Sequence, residues 1–405
     1  MVHRLNAHIS FALYSGSHAV CLLVNKYPHY RIVNYDKLDY CSSLKNLASL
    51  AGKPNYKFVK GNILSADLVN YILKEEEIDT IVHFAAQTHV DNSFGNSFQF
   101  TETNVLGTHV LLEAAKAAGI KRFIHVSTDE VKGESVEAEN DGIMEPTNPY
   151  AASKAAAELI VRSYHRSFNL PIIITRSNNV YGPHQFPEKI IPKFISLLER
   201  GRKCYIHGTG SNKRNYIFAE DVARAFDKII HHGVIGKVYS IGSDDCFSNL
   251  DVARRLLKAF GLDDKESEYL EHVEDRLFND LRYYIDTSET EKLGWKPEVT
   301  FEDGLAKTIE WYRNPANASN WIAPVDTALV AHPRESEYLE HVEDRLFNDL
   351  RYYIDTSETE KLGWKPEVTF EDGRAKTIEW YRNPANASNW IAPVDTALVA
   401  HPRVG

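Results

Sequence analysis

The sequence predicts an α/β fold in which helices cover both faces of a parallel β-sheet. Between residues 30 and 175, short apolar runs with the character of strands alternate with longer segments of helical periodicity. Because consecutive parallel strands need crossover connections, this alternation favours a doubly wound sheet. Polar residues also follow the predicted strand ends, which is where sheets of this kind bind their ligands.

The predicted elements follow one another in regular order. Strands are predicted at residues 30–36, 57–59, 80–85, 122–127 and 171–175, and helices at residues 43–51, 66–74, 104–118 and 150–167. Residues 6–12 should supply the first strand, but their pattern is a poor one. After about residue 180 the pattern loosens. We therefore predict a Rossmann-type domain over residues 1–180 and a smaller, mainly substrate-binding portion over residues 181–334.

The C-terminal part of the chain contains a near-exact tandem repeat. Residues 266–334 recur as residues 335–403, with 69 residues in each copy and one difference, Leu305 against Arg374. In the first copy, Thr300 and Asp303 form a capping box that opens a helix, and Leu305 falls on its apolar face. Burying an unpaired charge there is costly. We expect residues 335–405 to be an appendage; the alternative is that the second copy packs and the first loops out.

Composition excludes several classes of protein. The chain is 43% hydrophobic and 25% charged, and its net charge of −10 does not favour nucleic-acid binding. No apolar run approaches the roughly 20 residues that span a membrane. Four cysteines without a CxxC pair indicate reduced thiols and neither a disulfide framework nor a metal site. We expect a cytoplasmic protein that does not contact membranes.

Tyr150 and Lys154 lie four residues apart near the start of a predicted helix, so they share one helix face. A nearby ammonium group stabilises a phenolate, which would let Tyr150 act as a base near neutral pH. The alternative is a packed tyrosine beside an exposed lysine. The acidic cluster Thr128-Asp129-Glu130 at the end of the preceding strand favours the catalytic interpretation.

Two features near the N-terminus bear on whether the chain binds a dinucleotide. Asp36 ends an early strand, where dinucleotide sites place an acid on the ribose; the alternative is a turn residue. Gly16 matches the last position of a GxxGxxG loop in which Ser10 and Leu13 occupy the other two. Glycine lets the backbone approach a pyrophosphate, so we expect Leu13 to crowd the cofactor and weaken its binding.

Six segments together identify a family. They are Asp36-Lys-Leu-Asp-Tyr, His83-Phe-Ala-Ala-Gln-Thr-His-Val-Asp91, Ser127-Thr-Asp-Glu-Val131, Asn148-Pro-Tyr-Ala-Ala-Ser-Lys154, Arg176-Ser-Asn-Asn-Val-Tyr-Gly-Pro183 and Asp275-Arg276. With them the chain closely resembles the dTDP-glucose 4,6-dehydratases of the extended short-chain dehydrogenase superfamily, from about Gly16 to Tyr312. The Thr-Asp-Glu segment separates 4,6-dehydratases from related epimerases and decarboxylases.

The resemblance implies an NAD that stays bound and is recycled. It implies that Tyr150, helped by Lys154, takes the proton of the sugar 4-hydroxyl and that Thr128 hydrogen-bonds O4. Glu130 would then remove the C5 proton and Asp129 would protonate the departing 6-hydroxyl. Adjacent carboxyl groups suit this division of roles, since their environments can separate their pKa values.

The resemblance also implies binding residues. The cofactor would be lined by Gly16, Asp36, Lys37, Asn62, Ile63, Ala85, Ala86, Thr88, Thr103 and Asn179, together with Tyr150 and Lys154. The sugar nucleotide would be held by Thr128, Asn178, Lys189, Arg214, Asn249, Arg276 and Asn279, with the arginines on its diphosphate. In such relatives the helices at residues 104–118 and 150–167 pack against a second subunit, so a homodimer is expected.

Four positions depart from the family pattern. Asn62 stands where the family usually has Asp, Lys132 replaces Tyr, and Leu277-Phe278 replace Pro-Gly. Lys132 lies beside the acids and is expected to depress their pKa values, which would make Glu130 a weaker base. Two alternatives to an active dehydratase therefore stay open: a catalytically impaired relative that binds a nucleotide sugar, and an epimerase or decarboxylase acting on a UDP-sugar.

Overall fold

The computed structural model describes residues 6–10, 14–134, 144–177, 179–275, 280, 283, 285–317, 324–330 and 368–382. The chain divides into two compact units, residues 1–335 and residues 336–405. Each unit is described by itself, and the first contains every residue of the site discussed below.

A seven-stranded parallel sheet forms the centre of the first unit. In spatial order its strands are β10 (Val238–Ile241), β6 (Ile172–Ser177), β5 (Arg122–Thr128), β4 (Thr80–His83), β1 (Asn6–Ser10), β2 (Arg31–Asp36) and β3 (Tyr56–Lys60). All neighbouring pairs are parallel. The direction in which the chain builds the sheet reverses between β1 and β4, which opens a crevice at the carboxyl ends of the strands. The predicted doubly wound fold is confirmed.

Helices cover both faces of this sheet. They are α1 (Tyr14–Lys26) and α8 (Ala219–His232) on one face, and α2 (Ala66–Glu75), α5 (Gly107–Ala118) and α6 (Pro149–Phe168) on the other, with the short α3 (Val90–Gly95) and α4 (Ser97–Phe100) before α5. Successive strand residues alternate between the two cores: Ile32 packs in the first core and Val33 in the second. Burial on both faces explains the continuous apolar character of these strands.

Two predicted helices differ from the structure in detail. The segment at residues 43–51 is a 3₁₀-helix, Leu44–Leu50, whose first turn is capped by Ser43 Oγ accepting a hydrogen bond from Lys45 N at 3.1 Å. The prediction of helix from residue 104 is correct for α5, but Thr101–Leu106 before it forms a π-helix. Such π turns often occur beside functional sites.

The smaller portion packs its own core against two minor sheets. Its strands are β7 (Asn179–Tyr181), β8 (Cys204–His207), β9 (Lys213–Phe218), β11 (Cys246–Ser248) and β12 (Leu270–Val273), and its helices are α7 (Ile190–Glu199), α9 (Asn249–Ala259), α10 (Glu266–Tyr269), α11 (Ser288–Glu291) and α12 (Phe301–Arg313). Strands β11, β9 and β7 form one sheet, and β12 and β8 the other. Because β10 is the edge strand of the large sheet and α8 covers one of its faces, the sheet and its helical cover extend past the boundary predicted at residue 180.

The two copies of the repeat have opposite exposure. In α12, Phe301 is 1% exposed and Leu305 is 4% exposed, and Asp303 N donates to the Thr300 hydroxyl at 3.2 Å, which caps the start of the helix. The second copy forms α13 (Phe370–Arg382), in which Phe370 is 79% exposed and Arg374 is exposed. The two helices, which differ only at Leu305 and Arg374, therefore have their apolar face buried in the first copy and exposed to solvent in the second.

All four cysteines are free thiols, as predicted. Among the residues that the structure describes, no helix combines the length and the apolar character needed to cross a membrane.

Candidate active site

The carboxyl ends of the central strands open into a cavity of about 340 Å³. This volume is within the range of small-molecule sites. The predicted residues that line it are Thr128, Glu130, Tyr150, Lys154, Asn179, Lys189, Arg214 and Asn249, together with Ala86 and Thr88. Residues far apart in the sequence thus meet at the crevice that the sheet topology creates.

The acidic cluster is positioned by the end of β5. Thr128 is the last residue of that strand and caps the 3₁₀-turn Asp129–Lys132, with its hydroxyl oxygen accepting from Glu130 N at 3.3 Å. The same hydroxyl donates to Asp129 Oδ1 at 3.2 Å. Asn148 Nδ2 donates to Glu130 Oε2 at 3.2 Å. The two carboxyl groups therefore have different partners, as different roles require.

Burial raises the pKa of both acids. Desolvation, followed by the charge of Glu130, raises the pKa of Asp129 to about 7, and Arg214 is the nearby cation that opposes this shift. Desolvation also raises the pKa of Glu130, against Arg214 and Lys189. The net shift of both pKa values is upward, because the loss of water outweighs the cations around the cluster, and the lowering expected from Lys132 stays a prediction.

Tyr150 and Lys154 lie in the first turns of α6. Asn148 caps this helix by accepting from Ala151 N at 2.8 Å, and Pro149 occupies its first position. Tyr150 is buried at the cavity, and Lys154 Nζ donates to Val126 O near the end of β5 at 2.5 Å. The helix start therefore fixes both side chains against the strand that carries the acids.

The pKa of Tyr150 is shifted in the direction opposite to the one that the sequence predicts. Burial and then the charge of Glu130 raise the pKa of Tyr150, and the hydrogen bond from Thr128 lowers it only in part. Burial lowers the pKa of Lys154 to about 8. The predicted lowering of the tyrosine pKa by Lys154 is not met, because the ammonium group is directed at a backbone carbonyl and is itself desolvated.

A second, smaller cavity adjoins the first at the ends of β2, β3 and β4. Eight residues expected at the cofactor line it: Asp36, Lys37, Asn62, Ile63, Ala85, Ala86, Thr88 and Thr103. Asp36 is 9% exposed at the end of β2, where its Oδ1 accepts from Leu38 N at 2.5 Å. A carboxylate at this place fits the adenosine ribose of a dinucleotide. Asn179 lines the larger cavity instead.

The N-terminal end of α1 lies against the larger cavity. Tyr14 and Ser15 line that cavity, and Gly16 is buried in the first turn of the helix. Amides at a helix start can hold a phosphate group, so this position fits a pyrophosphate between the two cavities. Leu13 lies outside the described residues.

Lys189 and Arg214, two of the residues expected to hold the sugar nucleotide, are fixed by contacts at the larger cavity. Lys189 Nζ donates to Thr88 O at 2.8 Å, and Arg214 Nη1 donates to Asp280 O at 2.9 Å with its guanidinium 4.7 Å from the ring centroid of Tyr283. Asn178, Arg276 and Asn279 lie outside the described residues. Arginine stacked in this way presents a fixed charge toward a diphosphate.

Three residues that the sequence analysis did not single out also line the larger cavity: Glu188, Asp280 and Tyr283. Asp280 Oδ2 accepts from Thr147 Oγ1 at 2.7 Å and from Tyr283. None follows a predicted strand, which is the signal that revealed the other polar residues. The adjacency of Glu188 to Lys189 was the available clue.

Comparison with known proteins agrees with this geometry. The family model described as GDP-mannose 4,6 dehydratase matches residues 14–308. The chain belongs to the GDP-mannose 4,6-dehydratase family. A dTDP-D-glucose 4,6-dehydratase from Mus musculus is 50% identical over 311 residues, which are 76% of this chain and 87% of that protein. The resemblance stated from the sequence motifs is confirmed.

Two further relatives extend the comparison. A trifunctional enzyme of Arabidopsis thaliana, which includes UDP-glucose 4,6-dehydratase, is 56% identical over 326 residues, 79% of this chain. The chain spans about half, 48%, of that relative's length. The solved dTDP-glucose 4,6-dehydratase from Streptomyces venezuelae with NAD bound is 38% identical, has a TM-score of 0.74, and is matched over 78% of this chain and 99% of its own.

Proposed function

We propose that the chain catalyses the NAD-dependent dehydration of dTDP-glucose to dTDP-4-keto-6-deoxyglucose. The observation that carries the proposal is the meeting of Tyr150, Thr128 and Glu130 at one cavity, with Asp129 beside them and its pKa near 7. A buried acid that holds its proton near neutral pH, next to a second carboxyl group, suits elimination of water. The dTDP-glucose 4,6-dehydratase relatives support the same reaction.

NAD, when bound, supplies the acceptor and later the donor of the hydride. Tyr150 would take the proton of the sugar 4-hydroxyl, which Thr128 orients. Because burial and Glu130 raise the pKa of Tyr150 in the chain alone, this role requires that the bound ligands, with Lys154, stabilise its phenolate. Lys154 holds the helix start against β5 through its bond to Val126 O. The 4-keto group makes the C5 proton acidic, and Glu130, oriented by Asn148, removes it. Asp129 gives its proton to the departing 6-hydroxyl, which leaves as water.

The larger cavity would hold the sugar nucleotide, with Lys189, Asn249 and Arg214 around it. The smaller cavity would hold the adenosine part of NAD, with Asp36 on the ribose. A reduced affinity for NAD is the main way in which the chain would become an impaired relative, since Leu13 stands at a glycine position of the phosphate loop.

UDP-glucose is a second candidate substrate. It is favoured by the 56% identity to an Arabidopsis enzyme that includes UDP-glucose 4,6-dehydratase. The two substrates differ in the base methyl group and in the ribose 2′-hydroxyl, so the same acids would act on either one.

The test is incubation of the purified chain with NAD and either dTDP-glucose or UDP-glucose, followed by mass spectrometry of the sugar nucleotide. Loss of one water from one of them supports the dehydratase and identifies the base. Unchanged mass with a changed retention time would indicate an epimerase. No change with either substrate, in folded protein that binds NAD, would favour the impaired relative.

We also propose that the chain forms a homodimer in the cytoplasm. Leu106, just before α5, and Leu159, in the neighbouring helix α6, are each about half exposed. A second subunit packed on these helices would cover both apolar side chains. Replacing Leu159 with Arg should convert the dimer to a monomer in light scattering, and a monomeric parent chain would contradict the proposal. We propose residues 1–180, together with α8 and β10 that complete this layer, as the NAD-binding part and residues 335–405 as an appendage.

A further inference from the structure

A hydrogen bond joins two segments that border different cavities. The segment after β2, residues 37–43, lines the smaller cavity, and the segment before α7, residues 185–189, lines the larger one. Tyr40 in the first segment donates its hydroxyl proton to Glu188 Oε2 in the second, at 2.6 Å. The ring of Tyr40 also meets Phe186 edge-on, with centroids 5.5 Å apart. The two segments are thus tied by a polar and an aromatic contact.

Neighbouring contacts tie a third segment to the same place. Lys189, next to Glu188, donates to Thr88 O at 2.8 Å in the loop that follows β4. Gln87 in that loop donates from Nε2 to Asp39 Oδ2 at 2.7 Å, beside Tyr40. Asn92 Nδ2 donates to the Tyr40 hydroxyl at 3.3 Å. The contacts link the three segments to one another, and Cys41, Ala86 and Thr88 in these segments line both cavities.

In the contact between Tyr40 and Glu188, the tyrosine hydroxyl is the donor and the carboxylate is the acceptor. Burial and the carboxylate of Glu188 both raise the pKa of Tyr40, so its hydroxyl keeps the proton that it donates. Hydrogen bonds from a neutral donor to a carboxylate are among the stronger ones in proteins. Cys41, the next residue, lines both cavities, so the bond stands at their junction.

We propose that the Tyr40–Glu188 hydrogen bond is a clasp that retains the dinucleotide in the smaller cavity. Residues 37–42 form much of the lining of that cavity, so in this proposal an occupant leaves when the segment moves outward, and that movement breaks the clasp. Tyr40 and Glu188 are positioning residues, since they act through the segment and not on the reacting atoms. The inference rests on the proposed function, because it takes the smaller cavity as the adenosine site.

The clasp also links the two ligands. Glu188 is adjacent to Lys189, which lines the larger cavity, so a sugar nucleotide that holds residues 185–189 in place also holds the clasp. Substrate binding should therefore slow the release of NAD. This suits a reaction in which the same NAD molecule must accept a hydride and later return it.

The experiment measures NAD release from the full chain after rapid dilution. Tyr40→Phe keeps the ring and removes the donor, Glu188→Ala removes the acceptor, and Glu188→Gln keeps an acceptor oxygen. Tyr71→Phe, which removes a hydroxyl from an exposed tyrosine on α2, is the matched control. We expect release to be about tenfold faster in Tyr40→Phe and in Glu188→Ala, the factor that a hydrogen bond to a charged group supplies. Glu188→Gln, which keeps a neutral acceptor, should release NAD at a rate between those of the parent and Glu188→Ala, and Tyr71→Phe should release it at the parent rate.

The double variant separates a shared bond from two independent effects. Tyr40→Phe combined with Glu188→Ala should release NAD no faster than either single variant, because both remove the same contact. If the double variant instead released NAD faster by the product of the two single factors, the clasp would be overturned. Hydrogen exchange provides a readout that needs no ligand: amides of residues 37–43 should exchange faster in Tyr40→Phe and unchanged in Tyr71→Phe, and equal rates in all chains would also overturn it.

The two proposals fail in different ways. A parent chain that retains NAD but does not dehydrate either sugar nucleotide would overturn the proposed function and leave the clasp in place. Normal dehydration with NAD release unchanged in Tyr40→Phe and Glu188→Ala would overturn the clasp alone. A chain that binds no NAD would overturn both.

Discussion

Replacing Asp129 with Asn should stabilise the fold while it abolishes the reaction. Asp129 is 6% exposed, and the burial of its carboxyl group is the main reason that its pKa is about 7 instead of 3.8. Asn has the same shape, keeps an oxygen that can accept from the Thr128 hydroxyl, and never ionises. The variant therefore mimics the protonated acid at every pH.

The magnitude follows from the pKa difference. The pKa of the folded state is raised, so the folded protein holds a proton that the unfolded chain has lost between pH 3.8 and about pH 7. Stability is therefore greatest below the unfolded pKa and falls as the pH rises through the folded pKa. At 1.36 kcal/mol per pKa unit, the full penalty is about 4 kcal/mol above pH 7. Between about pH 5 and pH 8, the advantage of the Asn variant should grow by about 3 kcal/mol.

Urea unfolding of both chains across this pH range measures the difference directly. Asp264→Asn, at an exposed position, is the control and should follow the parent chain at every pH. The kcat of Asp129→Asn should fall at least about 100-fold, the usual value of a general acid, while NAD binding is retained. Parallel stability curves for Asp129→Asn and the parent would refute the reasoning, because they would mean that Asp129 ionises normally in the folded protein.

Other substitutions test other parts of the account. Glu130→Gln should lower kcat at saturating NAD about 100-fold or more with NAD affinity unchanged in calorimetry, and an unchanged kcat would remove Glu130 from the chemistry. Leu305→Arg should cost about 3–5 kcal/mol of unfolding free energy by burying a charge, whereas Arg374→Leu, on the solvated copy, should change it by less than about 0.5 kcal/mol; equal effects would contradict the assignment of the copies. Ser10→Gly combined with Leu13→Gly should tighten NAD binding in calorimetry, and unchanged affinity would show that Leu13 does not crowd the cofactor.

Much of the sheet was predictable because its strands are buried on both faces. Apolar runs such as the one at residues 122–127 bury residues in both cores, and this produces a pattern that survives in the sequence. The strand β1 lacks this clarity, yet it lies at the centre of the sheet between β2 and β4. Its place is determined by its two neighbours more than by its own residues.

The candidate site was predictable where polar residues follow strands. Asp36 and Thr128 each end a strand, so the parallel topology brings them to one edge. Glu188, Asp280 and Tyr283 reach the larger cavity from segments outside the large sheet. Sequence spacing contains no signal for such contacts, because the packing of the smaller portion creates them. The pKa values were mispredicted for the same reason, since burial is a property of the whole fold.

The central claim is that one cavity oxidises the sugar at C4 and then eliminates water across C5 and C6. The most direct measurement is the mass of the sugar nucleotide after reaction with NAD in D₂O, for the parent chain and for Tyr150→Phe. The account predicts a product that has lost one water and gained solvent deuterium at C5 in the parent, and intact substrate in Tyr150→Phe. Water loss that is equally fast in Tyr150→Phe, or a parent product of unchanged mass, would contradict it.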